Sequence, residues 1–230
     1  MTSLYGGYLT FGEDKMDDAF RGWSAWTATA DPRVTTTAAF TRPPGHGPRS
    51  LALHCAFPGG SDEGARAIAA LRDLGPDADT VQLLPARDIA RVFDEPRGAA
   101  PSWSQGLMLA AFDPDCAERL LQLLGAHGSM PFIKVQVRHL GGAAANDIEG
   151  GSPAPGRGCP FILGAIGIDV PSFNHAYPAA FDELRAALDR WTSPELTANF
   201  ACGGTAGYAP GVEARLREIE QRLTDGVSPA

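Results

Sequence analysis

Strand-like segments that follow one another with no helix between them constrain this chain more than any other feature. "RVTTTAAFT" (33–41) is β-branched and stops at Pro43 and Pro44, and "SLALHCAF" (50–57) stops at Pro58, Gly59 and Gly60. "PFIKVQVRHL" (131–140) alternates, and the next regular segment, "CPFILGAIGID" (159–169), is strongly apolar. Parallel neighbours need a long crossover, usually a helix, whereas strands joined only by a loop pair as hairpins. Hairpins are therefore expected around 33–57 and 131–169, in a largely antiparallel sheet.

The remaining segments supply helices for that sheet. "LYGGYLTF" (4–11) reads as a first strand, followed by a helix from Asp14 to Thr27 with Met16, Ala19, Phe20, Trp23 and Trp26 on one face. Ser61 is the expected cap of a helix with apolar positions Ala65, Ile68, Leu71 and Leu74. "DTVQLLPA" (79–86) predicts a strand, Arg87 to Phe93 a short helical turn, and 94–106 a flexible loop. Asp113, Pro114 and Gly125 punctuate a clear helix as cap, first residue and stop. Residues 145–158 are Gly/Pro-rich and expected to be flexible. A helix over Asn174–Trp191, a short strand or loop over "LTANFACGG" (196–204), and a helix carrying Val212, Leu216, Ile219 and Leu223 complete the chain. The fold class is α+β: one domain over 1–230, with a largely antiparallel sheet and helices packed on one face.

Composition narrows the partners. The formal charge of −8 argues against nucleic acid and anionic membrane surfaces. No stretch reaches the roughly 18 apolar residues of a membrane span, and "MTSLYGGYLTF" has no signal-peptide character. The four cysteines (Cys55, Cys116, Cys159, Cys202) form no CxxC pair and read as small buried hydrophobes in a reduced compartment, so a cytoplasmic location is expected. The five histidines show no i,i+4 pairing for a metal. Neither "GGAAANDIEGG" nor "ACGGTAG" has the strand–GxGxxG–helix setting of a dinucleotide site, and no GxSxG elbow occurs.

Chemistry concentrates on residues 134–146, "KVQVRHLGGAAAN". Alternation puts Lys134, Gln136 and Arg138 on one face of the strand and Ile133, Val135 and Val137 on the other. The polar face either meets solvent or lines a polar cavity, because burying it against helices costs too much desolvation. Arg138 is suited to holding a carboxylate, phenolate or phosphate, although surface salt bridging competes as its role. His139 falls on the apolar side, where a hydrogen-bonded structural role is the ordinary one.

The succession of segments resembles the carboxy-terminal, substrate-binding half of FAD-linked oxidases related to berberine bridge enzyme, in the vanillyl-alcohol oxidase superfamily. "LYGGYLTF" with "AFRGWSAWTA", the "RHLGGA" strand, and "PFILGAIGI" leading into the helix to "RW" carry the resemblance over nearly the whole chain. "ELTANF" stands where the family usually reads Tyr-x-Asn-Phe, so Thr197 replaces the family's tyrosine while Asn199 and Phe200 remain. The chain ends "QRLTDGVSPA" without the family's segment returning to flavin. The resemblance implies no FAD-binding domain here and no cofactor bound by this chain alone.

Since no side chain accepts hydride, redox chemistry would need FAD from a separate flavin-binding chain. The expected function is a small-molecule tailoring protein acting on an apolar, secondary-metabolite-like substrate. A flavin-free cyclase or isomerase that positions its substrate and a non-catalytic ligand-binding protein remain alternatives. The substrate-binding candidates are Gln136, Arg138 and Asn199, with His139 and Thr197 behind them; catalytic residues stay unassigned. The polar face is expected to be covered by a second copy in a homodimer, a flavin-binding partner chain, or a loop such as 94–106.

Overall fold

A computed structural model describes residues 2–44, 47–93, 98, 100–146, 154–201, 207–208 and 210–225. In chain order the elements are β1 (Ser3–Gly12), α1 (Met16–Thr27), β2 (Thr35–Thr41), β3 (Ser50–Phe57), α2 (Ser61–Ala67), α3 (Ala69–Arg72), β4 (Ala78–Asp79) and β5 (Gln82–Pro85). A 3-10 turn (Ala86–Val92) leads to β6 (Trp103–Leu109), α4 (Pro114–Leu124), β7 (Lys134–His139), β8 (Phe161–Gly167), α5 (Ala176–Ala187), β9 (Thr192–Ser193), α6 (Ala198–Ala201) and α7 (Pro210–Asp225).

The described strands form one sheet in the order β4-β1-β3-β2-β7-β8-β6-β9, with β5 also pairing β1. Every pairing is antiparallel, and both expected hairpins, β2–β3 and β7–β8, are present. The α+β class follows directly. On one face lies the main core. Met16, Ala19, Phe20 and Trp23 of α1, Leu120 and Leu124 of α4, and Phe181 and Leu184 of α5 meet the strand residues Leu51, Leu53, Val135, Val137 and Leu163. Trp23 is fully buried, stacked on Phe20 and edge-on to Phe112 and Phe161. Its Nε1–H donates to Thr36 Oγ1 at 2.9 Å, and that hydroxyl donates onward to the His54 carbonyl at 3.0 Å.

Several boundaries depart from the sequence expectations. Gly60, rather than Ser61, occupies the cap position of α2 and supplies no side-chain bond; Ser61 is the first helical residue. The helix then breaks at Ile68 (φ −109°, ψ 8°), which lets Ile68 and Leu71 both reach the core. Residues 103–106, expected in a loop, belong to β6, because Trp103 and Leu107 bury on the helix side. Residues 94–97 and 99 of that loop, and 147–153 of the Gly/Pro-rich segment, lie outside the described residues. "ANFA" forms one helical turn, α6, within the segment expected to be a short strand or loop. The apolar stripe of α7 is largely exposed, Leu223 at 68 %.

The α4 punctuation is as expected: Asp113 accepts from the Cys116 amide at 2.8 Å, with Pro114 first and Gly125 at the end. Asp113 also accepts from Trp191 Nε1 at 3.0 Å, and this bond, followed by the Cys116 amide, holds its carboxyl below the usual range. A depressed folded-state pKa means stability present above the unfolded value and lost as pH falls through the folded one. Asp113→Ala is therefore expected to cost about 1 kcal/mol, the usual worth of an N-cap. In urea denaturation, the gap between the variant and the parent should shrink on acidification; a gap independent of pH would contradict the assignment.

Cys55, Cys116 and Cys159 are buried free thiols, and burial pushes Cys55 and Cys116 up to about 12, so they pack as small hydrophobes. Cys202 lies outside the described residues.

Candidate functional site

The sheet face opposite the main core carries the polar residues. Strand register places Tyr8, His54, Thr37, Arg138, Ile162 and Met108 side by side across β1, β3, β2, β7, β8 and β6. The adjacent row reads Thr10, Ala52, Ala39, Gln136, Gly164 and Gly106. The first row is thus polar for four strands, while the second is small except for Gln136. Apolar clusters flank this polar centre, with Leu4, Leu84 and Val92 at one end and Met108, Cys159 and Ile162 at the other.

Two phenylalanines lie over the face. Phe93, at the end of the 3-10 turn, stacks on the His54 ring with centroids 4.7 Å apart and planes 22° apart. Phe200 of α6 rests against the backbones of Gly106 and Gly164, where an added Cβ would meet its ring at 2.7 and 2.8 Å. The Arg138 guanidinium carbon lies 5.4 Å from the Phe93 ring centre and 5.5 Å from that of Phe200, within cation–π range of both. The chain thus covers part of its own polar face, which accounts for Gln136 being only 3 % exposed on a face expected to meet solvent or a cavity.

Gln136 and Arg138 act as a pair. Arg138 Nη2 donates to Gln136 Oε1 at 2.6 Å, which fixes the amide orientation. Gln136 Nε2 is then a buried donor with no acceptor among the described residues. An unmet buried donor costs about 1–3 kcal/mol, so a ligand oxygen placed there would gain that back.

The other sequence candidates fall elsewhere. His139 lies on the opposite face, opposed to Phe161 in the register, with ring centroids 4.9 Å apart. Burial lowers its pKa and favours the neutral ring, and it does not join Gln136 and Arg138. Thr197 precedes α6 and its carbonyl accepts from the Phe200 amide at 3.0 Å. Asn199 is exposed on α6, and Phe200 beside it is the residue that reaches Arg138. Sequence reading missed His54, Tyr8 and Phe93. His54 and Phe93 lie in segments without a motif, and only the register sets His54 one strand beyond Thr37 and two from Arg138, with Tyr8 on its far side in β1.

His54 is 4 % exposed, and its Nδ1 lies 2.8 Å from the Val92 carbonyl oxygen. A carbonyl only accepts, so Nδ1 carries the proton of this bond. Tyr8 pairs with His54 across β1 and β3, ring centroids 5.6 Å apart, and also lines a cleft of about 290 Å³ with Gly6, Leu84 and Arg91. Among the described residues no cluster of His, Cys, Asp and Glu could hold a metal ion, and no helix is long and apolar enough to cross a membrane.

Solved structures carry the same fold, an antiparallel sheet with helices packed on one face. The chain matches 6-hydroxy-D-nicotine oxidase from Arthrobacter nicotinovorans with a TM-score of 0.70 at 16% identity, over 96% of this chain and 52% of that one. It matches Phl p 4, a grass pollen allergen with glucose dehydrogenase activity, with a TM-score of 0.66 at 12% identity, over 86% and 43%. A variant of BBE-like 1 from Physcomitrella patens gives 0.67 at 7% identity, over 86% and 46%. The chain therefore has the fold of about half of each of these proteins, as the "RHLGGA" resemblance implies. No protein-family profile and no curated protein sequence matches it.

Proposed function

We propose that this chain is a ligand-covering protein that binds an apolar organic molecule against the sheet face carrying Arg138 and Gln136, with oxidoreductase chemistry only where a separate chain supplies FAD. The observation that carries the reading is the buried Gln136 Nε2, which has no acceptor among the described residues and is oriented by Arg138 beside a row of small residues. Arg138 would hold a carbonyl, phenolate or carboxylate oxygen, and Gln136 would donate to the same or a neighbouring oxygen. Phe93 and Phe200 would pack on the ligand's apolar body. Thr197 and Asn199, beside and on α6, would contribute by placing Phe200 rather than by contact.

FAD supplies hydride acceptance when bound. The Gln136 amide donor beside Ala39 would suit a carbonyl oxygen at the edge of a planar ring, next to Phe200, which already covers Gly106 and Gly164. The sequence has no strand–GxGxxG–helix segment to cradle a diphosphate, so this chain would offer a roof to a flavin whose remaining contacts come from another polypeptide. The fold match over about half the length of a 6-hydroxy-D-nicotine oxidase and of a BBE-like protein supports that division. A secondary-metabolite-like substrate and a cytoplasmic setting belong to the same reading.

Two measurements test it. Calorimetric titration with 2-tetralone, an apolar bicyclic ketone, should show saturable binding to the purified chain; no binding would remove the ligand reading. A visible-absorbance scan should show flavin bands only when a flavin-binding chain copurifies. Stoichiometric flavin on this chain alone would overturn the division of labour.

A further inference from the structure

We propose that α7 is a self-association helix, whose apolar stripe packs in a parallel bundle with the α7 helices of two or three further copies of this chain. The inference is independent of the ligand site proposed above.

The stripe lacks cover from its own domain. Every residue from 214 to 224 is exposed, and within that stretch Leu216 and Ile219 show 37 % and 39 % of their surface and Leu223 shows 68 %. α7 spans 16 residues, close to the length at which an isolated helix is marginal in water, so burying an apolar face is what would stabilise it. The spacing of the stripe indicates what covers it. Val212, Leu216, Ile219 and Leu223 follow one another at four, three and four positions. That is the narrow 3.5-residue seam of a coiled coil, not the wider face with which a helix lies on a globular core. In heptad terms Leu216 and Leu223 take position a, and Val212 and Ile219 take position d. Leu at a with β-branched residues at d favours three or four strands over two. A bundle of that size also suits a seam of only two heptads, because each stripe then meets two neighbours.

The charges beside the stripe set its direction. The e positions are Glu213 and Glu220, and the g positions are Arg215 and Arg222. In a parallel bundle a g residue meets the e residue five positions further along its neighbour, so Arg215 of each copy faces Glu220 of the next. In an antiparallel arrangement e meets e and g meets g, which sets Glu213 against Glu220 and Arg215 against Arg222. Both of those contacts are like-charged, and only the parallel arrangement is complementary. Pairs within the helix leave these groups within reach. Arg215 Nη1 donates to Glu218 at 3.0 Å, but the side chain is 64 % exposed, and a guanidinium has further donors for a second carboxylate. Glu220 joins no ion pair among the described residues.

Sedimentation equilibrium of the purified full chain over a range of concentrations tests the proposal. Wild type is expected at the mass of three or four chains. Ile219→Asp, at an exposed position, should be monomeric with an unchanged near-ultraviolet circular dichroism spectrum, which reports the buried Trp23 and Trp191. Arg215→Glu and Glu220→Lys should each raise the midpoint concentration of assembly about tenfold, by setting like charges across the parallel contact, and combining them should restore it. An antiparallel bundle would respond in the opposite sense, because each single change would there set opposite charges face to face. A monomer at every concentration would overturn the proposal, including one that joins a flavin-binding chain one to one through α7. Assembly that survives Ile219→Asp would overturn it, and so would single charge variants that assemble as tightly as wild type or more tightly.

Discussion

Trp23→Ala should lower the stability of the chain by about 4 kcal/mol, the loss expected for a large aromatic removed from a closed core. Trp23 is fully buried between Phe20, Phe112 and Phe161, so its removal leaves a void bounded by rigid rings from a helix, a loop and a strand. The cavity cannot close by moving one side chain. The substitution also removes the indole donor from Thr36, whose hydroxyl continues to the His54 carbonyl. Trp23→Phe separates the two contributions, because it keeps most of the apolar contact and loses only the hydrogen bond, at about 1 kcal/mol. In a chain of this length the alanine variant should melt about 10 °C lower. A loss below about 1 kcal/mol for Trp23→Ala would mean that the helix-side core is not organised around this residue.

Arg138→Ala is expected to weaken binding of an oxygen-bearing ligand by about 10- to 100-fold, the span of a hydrogen bond to a charged group. The arginine has two tasks on this face. Its Nη2 orients the Gln136 amide, and its guanidinium lies against both Phe93 and Phe200. Removing it frees the amide to rotate, so the open donor is no longer presented in one direction. Arg138→Lys should recover less than half of the lost binding energy, because an ammonium keeps the charge but cannot hold Gln136 and a ligand oxygen with one planar fork. Gln136→Leu, near-isosteric with the amide, should weaken binding less than Arg138→Ala; it removes both the buried donor that lacks an acceptor among the described residues and the oxygen that accepts from Arg138. Calorimetric titration with 2-tetralone reads all three. Equal affinity in Arg138→Ala and wild type would move the ligand off this strand.

The two halves of the polar face differ in how far they could be read in advance. Gln136 and Arg138 lie two residues apart on one strand, and the period of two places them on one face whatever the strand pairs with. The same period puts His139 on the opposite face, where Phe161 meets it. Residues 196–200 were harder, because five residues mixing apolar and polar side chains have no distinguishing period. The structure makes it a helical turn, so Phe200 rather than Asn199 faces the sheet. The small residues that admit Phe200, Gly106 and Gly164, lie 58 positions apart and become neighbours only through the β6–β8 register.

What the amino-acid order determined by itself is local: the period of each strand, the Asp113–Pro114 helix start, the aromatic face of α1, and hairpins where no helix intervenes. These depend on interactions between residues a few positions apart, which any fold containing the segment must honour. The assembly of His54, Thr37 and Arg138 into one row was decided only by tertiary structure. Each belongs to a different strand, and a slip of one residue in β2 or β3 would have turned its side chains to the opposite face. The covering of that row by Phe93 and Phe200 was decided the same way, because a side chain's neighbours across a sheet are set by how the whole core closes.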